Sequence, residues 1–204
     1  MSKSDETEEL SKKAAELKKL ISFYTLTCHP LHSDFNYAIK QWQQDRTSQF
    51  WSRTAIRCLC ATIEATLFTF RKMAETAASV ANIQFDLKES EILSEKQIKN
   101  GVERPKFLSS PDAVKESFRL FAKAIGTTLN VDYGNGFSDL CATFEVRNRL
   151  MHPKKPFDIE VNANNIETAD RGIAWFNKTC AYIFSQCQGR IAQNIENIFA
   201  QQTK

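Results

Sequence analysis

Glycine and proline are scarce, six and five among 204 residues, and so few turn formers leave little room for a fold of many short strands. Histidine is scarcer still, with three copies, so a cluster built on imidazoles has few positions to draw on. Neither sign of charge dominates: 27 basic against 24 acidic residues give a formal net charge of +3, unlike a protein that coats nucleic acid. Any contact with a polyanion must then be local. No apolar run approaches the ~20 residues a membrane span needs, and the opening MSKSDETEELSKKAAELKK lacks the apolar stretch of a secretory leader. The chain is therefore expected to be cytoplasmic and to have no membrane partner. A Gly-rich phosphate loop, a Gly-x-Ser-x-Gly elbow and a Cys–His nucleophile pattern are all missing. The GNGF at 134–137 follows no strand and reads as a turn.

Apolar material is ample, 42% of the chain with 15 Phe, and the length suits one domain with a sizeable core. The six cysteines, Cys28, Cys58, Cys60, Cys141, Cys180 and Cys187, follow neither metal-ligand nor disulfide-framework spacing, so free and mostly buried thiols are expected. Cys28, His29 and His32 supply three potential ligands around Pro30 without a partner cluster, and a helix junction is the better reading. No metal and no cofactor are expected.

Periodicity carries the fold. Leu10, Ala14, Leu17 and Tyr24 stripe a helix over about residues 5–26. From Ser33 into the high seventies a helical pattern continues, with allowance for a bend, its best face being Ile56, Leu59, Ile63, Leu67, Phe70, Ala74 and Ala77. Beside that face lie Arg57, Glu64 and Arg71, seven apart. They read first as a solvated charged edge and second as the polar lining of a cleft. Residues 82–111 lose the pattern and look like a loop or insertion with a short helix inside. Ser110-Pro111-Asp112 then starts a helix that buries Val114, Phe118, Phe121 and Ile125. Another helix from about Ser138 carries Leu140, Phe144, Arg147 and Met151 on one stripe. The last begins near Asn164, which has capping spacing to Glu167. It continues through Ala169, Ile173, Phe176, Cys180, Ile183 and Cys187 to Ile191, Ile195 and Ile198, with Gly189 a point of interruption. No segment shows the alternation of a strand. The expected fold is all-α, a bundle of about four to six helices with long terminal helices. It forms one domain over 1–204, with an N-terminal helical extension (about 1–30) and an insertion (about 82–111).

Chemistry concentrates in Phe144-Glu-Val-Arg-Asn-Arg-Leu-Met-His-Pro153, which gathers Arg147, Asn148, Arg149 and His152 where helix gives way to loop. Pro153 disfavours helical geometry at His152, so the imidazole should sit at the helix end. Arg147 falls on an apolar stripe, where a charge is costly unless paired. A reading that needs no chemistry has Arg147 bonding helix-end carbonyls or a carboxylate such as Glu64 across the bundle, with His152 capping the helix.

The run Arg147-Asn148-Arg-Leu-Met-His152 resembles the Arg-x4-6-His motif of the HEPN superfamily, in which a polar residue such as Asn commonly follows the Arg. In that family the motif lies at the junction of two late helices of an all-α bundle. The resemblance spans about residues 35–190 as a bundle and is specific only over 144–153. His-Pro stands here where His-Gly is frequent, and the 82–111 insertion and N-terminal helix exceed a minimal HEPN domain. The resemblance implies a homodimer whose motif residues meet across the interface. It also implies a metal-independent endoribonuclease of toxin–antitoxin or phage-defence type, with RNA or nucleotide as ligand and an antitoxin or other protein as a further partner. His152 would then act as general acid or base, Arg147 would stabilise charge on phosphorus, and Asn148 would orient the phosphate or the imidazole. Arg149, Lys154 and Lys155 would hold flanking phosphates, with Glu64 supporting Arg147. The alternative is a non-catalytic HEPN-like module that binds RNA, nucleotide or protein.

Overall fold

A computed structural model describes residues 12, 15, 22, 26 and 28–202, with Val80 and residues 188–202 given as backbone only. The stripe expected on Leu10, Ala14, Leu17 and Tyr24 lies outside the described residues, as do the side chains of Ile191, Ile195 and Ile198.

The described residues form a helical bundle with one small hairpin: α1 (His29–Gln44), α2 (Gln49–Ala81), α3 (Leu87–Ser94), β1 (Lys96–Lys99), β2 (Val102–Pro105), α4 (Ser110–Ala124), α5 (Asn135–Met151) and α6 (Ala163–Gln202). The all-α expectation holds. Helix α2 is the central post, packing against α1, α4, α5 and α6. Its face Ile56, Leu59, Ile63, Leu67, Phe70 and Ala74 is buried, as the spacing predicts. Phe70 meets Phe118 and Phe121 edge-on at ring distances of 5.5 and 5.2 Å, and Phe118 stacks on Phe176 of α6 at 6.0 Å. Such pairs add specificity to the area they bury. Thr62, Thr66 and Thr69 each return their hydroxyl to the carbonyl four residues back, so these three hydroxyls are satisfied within the helix.

Several expectations need correction. The helical pattern expected from Ser33, with allowance for a bend, is two separate helices, broken at residues 45–48. There Asp45 accepts from the Thr47 backbone and hydroxyl, and Ser48 caps α2 by accepting from the Trp51 N–H. The strandless reading of 82–111 misses the β1–β2 hairpin, although the short helix inside it is present as α3. Asn100 and Gly101, both at positive φ (56° and 74°), form its two-residue turn between paired Lys99 and Val102. Helix α4 is capped by Ser109 rather than Ser110, and α5 starts at Asn135, ahead of Ser138. At the end of α5 the core position falls to Leu150, while Met151 is 52% exposed. The entry to α6 is capped two residues early: Asn162 and Asn165 exchange backbone-to-side-chain hydrogen bonds of 2.9 and 3.1 Å. Helix α6 runs through Gly189 without a break.

Helices α5 and α6 approach closely because glycines line their contact. A Cβ on Gly172 would stand 2.9 Å from the Leu140 backbone, and one on Gly136 would stand 2.6 Å from the Trp175 side chain. Arg171 clamps the same pair through Asp139, Nε donating to Oδ2 at 2.8 Å. No helix among the described residues is long and apolar enough to cross a membrane.

Candidate functional site

Helix α5 ends at Met151, and His152 is its C-cap, with φ −134° and its backbone N–H donating to the Asn148 carbonyl. The Pro153 effect therefore operates as expected. Beyond it a short 3-10 turn, Pro156–Ile159, folds back under the helix end. Asp158 anchors this turn by accepting from the backbone N–H groups of Lys154 and Lys155 at 2.8 and 2.9 Å. The hydrogen bond from Lys154, then that from Lys155, holds its carboxyl below the usual range. Arg149 reaches the Phe157 carbonyl at 3.5 Å, tying helix to turn. The loop is pinned to α2 at its far end. The Gln49 side chain accepts from the Val161 N–H (2.9 Å) and donates to its carbonyl (3.0 Å), as a neighbouring strand would.

These contacts leave an open groove of about 560 Å³ lined by Asn148, Arg149, His152, Lys154, Lys155, Phe157 and Asp158. The structure thus gathers five of the residues singled out in the sequence. His152, Asn148, Lys154 and Lys155 are exposed, and Arg149 is half-buried. Phe157 and Asp158 were not anticipated. They lie beyond the motif, and only the fold-back of the turn brings them in.

Arg147 stands apart from that groove. Its guanidinium donates from Nη2 to Glu64 on α2 and rests over the Phe144 ring at 5.9 Å. The pair is lopsided in exposure, 24% for the Arg147 side chain and 50% for Glu64. Cys60 lies beneath it, one turn along α2. Burial pushes the Cys60 thiol up to about 12, even though Arg147 pulls the other way, so it is no thiolate nucleophile near neutral pH. All six cysteines are free.

The row Arg57, Glu64 and Arg71 divides: Arg57 and Glu64 are exposed, as a solvated edge requires, whereas Arg71 is buried. Each member spans a gap between elements: Arg57 to the Leu150 carbonyl of α5 (3.4 Å), Glu64 to Arg147, and Arg71 to Ser117 of α4 (2.9 Å) and to Glu95. Glu64 and Arg71 also line a cavity beside α2, as the second reading has it, and Arg57 does not. Among the described residues no three His, Cys, Asp or Glu side chains gather as metal ligands, and Cys28, His29 and His32 form no such group. No family model, curated protein or solved structure matches the chain.

Proposed function

We propose that this chain is a metal-independent endoribonuclease of the HEPN type, with His152 and Arg147 as its reactive pair. The supporting observation is the groove at the end of α5: an exposed imidazole, an amide and three cationic side chains surround one open space. The carboxylate there, Asp158, already accepts from two backbone N–H groups. Such a lining suits a phosphodiester. In the reaction, the 2′-hydroxyl of RNA attacks the adjacent phosphorus, its proton passing to a base. The bond to the 5′-oxygen breaks, and that oxygen leaves with a proton from an acid. His152 suits one of these proton transfers, and a guanidinium at the phosphorus offsets the gathering charge.

Side chains five apart on a helix point about 140° apart, which fits Arg147 standing outside the groove that His152 lines. Bringing both to one phosphate calls for a second copy of the chain, as the resemblance implies. Met151, Phe157 and Ile159, exposed beside the groove, supply an apolar rim for that homodimer.

One observation favours a second reading. The Arg147–Glu64 pair satisfies the guanidinium within one chain, which leaves the groove as a non-catalytic site for RNA, nucleotide or protein. Incubation of single-stranded and structured RNA with wild type and His152→Ala separates the two. Cleavage lost in the variant supports the ribonuclease, whereas RNA bound but uncut by wild type selects the binding module.

A further inference from the structure

The first turns of α2 run beside the helix end that carries His152 and hold it by its carbonyls. Arg57 Nη2 donates to the Leu150 carbonyl and Arg53 Nη1 to the Ile159 carbonyl, both at 3.4 Å, and Gln49 makes its clasp on Val161. Gln49, Arg53 and Arg57 recur at steps of four, so one edge of α2 is stitched to the segment 150–161. Arg57 is exposed and Arg53 half-buried.

These two guanidiniums differ from Arg71, Arg119, Arg147 and Arg171, each of which pairs with a carboxylate. Arg53 and Arg57 meet carbonyls, and neither is in an ion pair among the described residues. A neutral acceptor at the long end of hydrogen-bonding range leaves the charge uncompensated, and the other N–H groups of each fork can turn to a stronger acceptor. With Arg149, Lys154 and Lys155 they make five cations around a turn whose own carboxylates are Asp158 and Glu160, in a chain whose formal net charge is only +3.

Phe50 lies on the same face of α2. Phe50, Arg53 and Arg57 recur at steps of three and four, within about 10 Å along the axis. The Phe50 ring is 61% exposed, although Trp51 braces it edge-on at 4.8 Å; Trp51 in turn meets Tyr37 of α1, itself 58% exposed, at 5.7 Å. Cations that follow a backbone, with aromatic faces that take unpaired bases, suit a single-stranded nucleic acid. A duplex keeps its base faces in its own stack, so only its phosphates could use this surface.

We infer that this face of α2 is a track for single-stranded RNA leading out of the groove, on which Arg57 and Arg53 hold phosphates and Phe50 stacks on an unpaired base. The inference rests on the reading of the groove as an RNA site, and it adds three residues that the motif does not contain. All three position the strand and none touches the phosphate that reacts.

The test uses a 2′-O-methyl RNA of about twelve nucleotides, which cannot be cut by attack of its own 2′-oxygen, alone and annealed to its complement. Binding to the full chain is followed by fluorescence anisotropy across a salt series. Arg53→Gln and Arg57→Gln should each lower the slope of log Kd against log salt by about 0.7, the share of one phosphate on a single strand, and Arg53→Lys and Arg57→Lys should keep it. Phe50→Ala should weaken single-strand binding about tenfold at an unchanged slope, Phe50→Tyr should restore it, and duplex binding should answer neither. Wild type that binds no strand, or affinities and slopes that ignore all three positions, overturn the inference even if RNA is cut. So do equal losses on strand and duplex in Phe50→Ala. A wild-type dimer that Phe50→Ala turns to monomer in light scattering gives this face to a second copy and overturns it as well. If the variants respond as expected and wild type cuts no RNA, the track stands and the ribonuclease reading is what fails.

Discussion

Arg147 on α5 and Glu64 on α2, 83 positions apart in sequence, form an ion pair across the bundle beside a junction where cationic and imidazole groups accumulate. With Glu64 half exposed, solvent screens the pair, and its contribution to stability should be no more than about 1 kcal/mol. Arg147→Ala should therefore fold and melt within a few degrees of wild type, while RNA cleavage falls by two orders of magnitude or more, the scale of losing one charge-stabilising donor. Glu64→Gln should have a smaller effect on cleavage. Melting curves and single-turnover rates on the same preparations decide the point. A melting temperature depressed by ten degrees or more for Arg147→Ala would give the residue a packing role instead.

Chelation should leave activity intact. The described residues hold no gathered set of metal-ligating side chains, and the groove offers an imidazole, an amide and cations. Cleavage in excess EDTA should match the untreated rate and leave a 2′,3′-cyclic phosphate and a 5′-hydroxyl. RNA with a single 2′-deoxy residue at the cut should resist. Rapid cutting of all-DNA substrate, or activity that returns only with divalent metal, would refute the mechanism.

A homodimer should be seen by light scattering at micromolar concentration. Charged substitutions on the apolar rim, Met151→Glu or Phe157→Glu, should shift it toward monomer and lower cleavage in parallel. Dimers that survive both changes would place the interface elsewhere.

Acid should weaken the fold in part through Glu89. This buried carboxylate caps α3 with Asp86 and accepts from Arg119 (2.8 Å) and Lys123 (2.5 Å) of α4. Burial pushes its titration up, but the hydrogen bonds from Lys123, Arg119 and the Asp86 N–H outweigh that and bring it from 4.5 to about 2. A depressed folded value means that the carboxylate stabilises fully above its unfolded titration near 4.5, and that this stability drains away as pH falls toward 2. Glu89→Gln should cost about 2 kcal/mol at neutral pH and flatten the fall in melting temperature between pH 5 and 3. A variant with the same acid slope as wild type would remove Glu89 from the account.

Gly172→Ala should destabilise by about 1–3 kcal/mol, because the added methyl would meet the Leu140 backbone, which has no rotamer with which to yield. Since α5 carries the motif at its other end, hydrogen exchange at residues 144–152 should quicken as well. An unchanged melting temperature would show that the two helices separate freely.

The sequence revealed what depends on contiguous residues and hid what depends on distant ones. The buried face of α2 was legible because Ile56 to Ala74 recur at helical steps, and the groove was half legible because Asn148 to Lys155 are neighbours in the chain. The hairpin was not. Its strands are almost wholly exposed, so no two-residue alternation is written into KQIK or VERP, and Asn100-Gly101 was its sole signal. The break before α2 hid because Phe35, Ala38 and Trp42 keep a helical beat right up to it. Arg71 looked like surface because the elements around it, α3, the hairpin exit and α4, all follow it in sequence, the first of them starting only at Leu87.

The clasp between Gln49 and Val161 joins positions 112 residues apart, and it sets the order in which the molecule can be completed during synthesis. Chain emerges from the ribosome N-terminus first, and domains condense as their segments arrive. Helices α1 to α4 can gather around α2 before α6 exists. The turn beneath His152 cannot be fastened until residue 161 and the Asn162 cap have cleared the exit tunnel. A nascent or truncated chain that ends before this point would lack α6, the main packing partner of α5, and the finished groove.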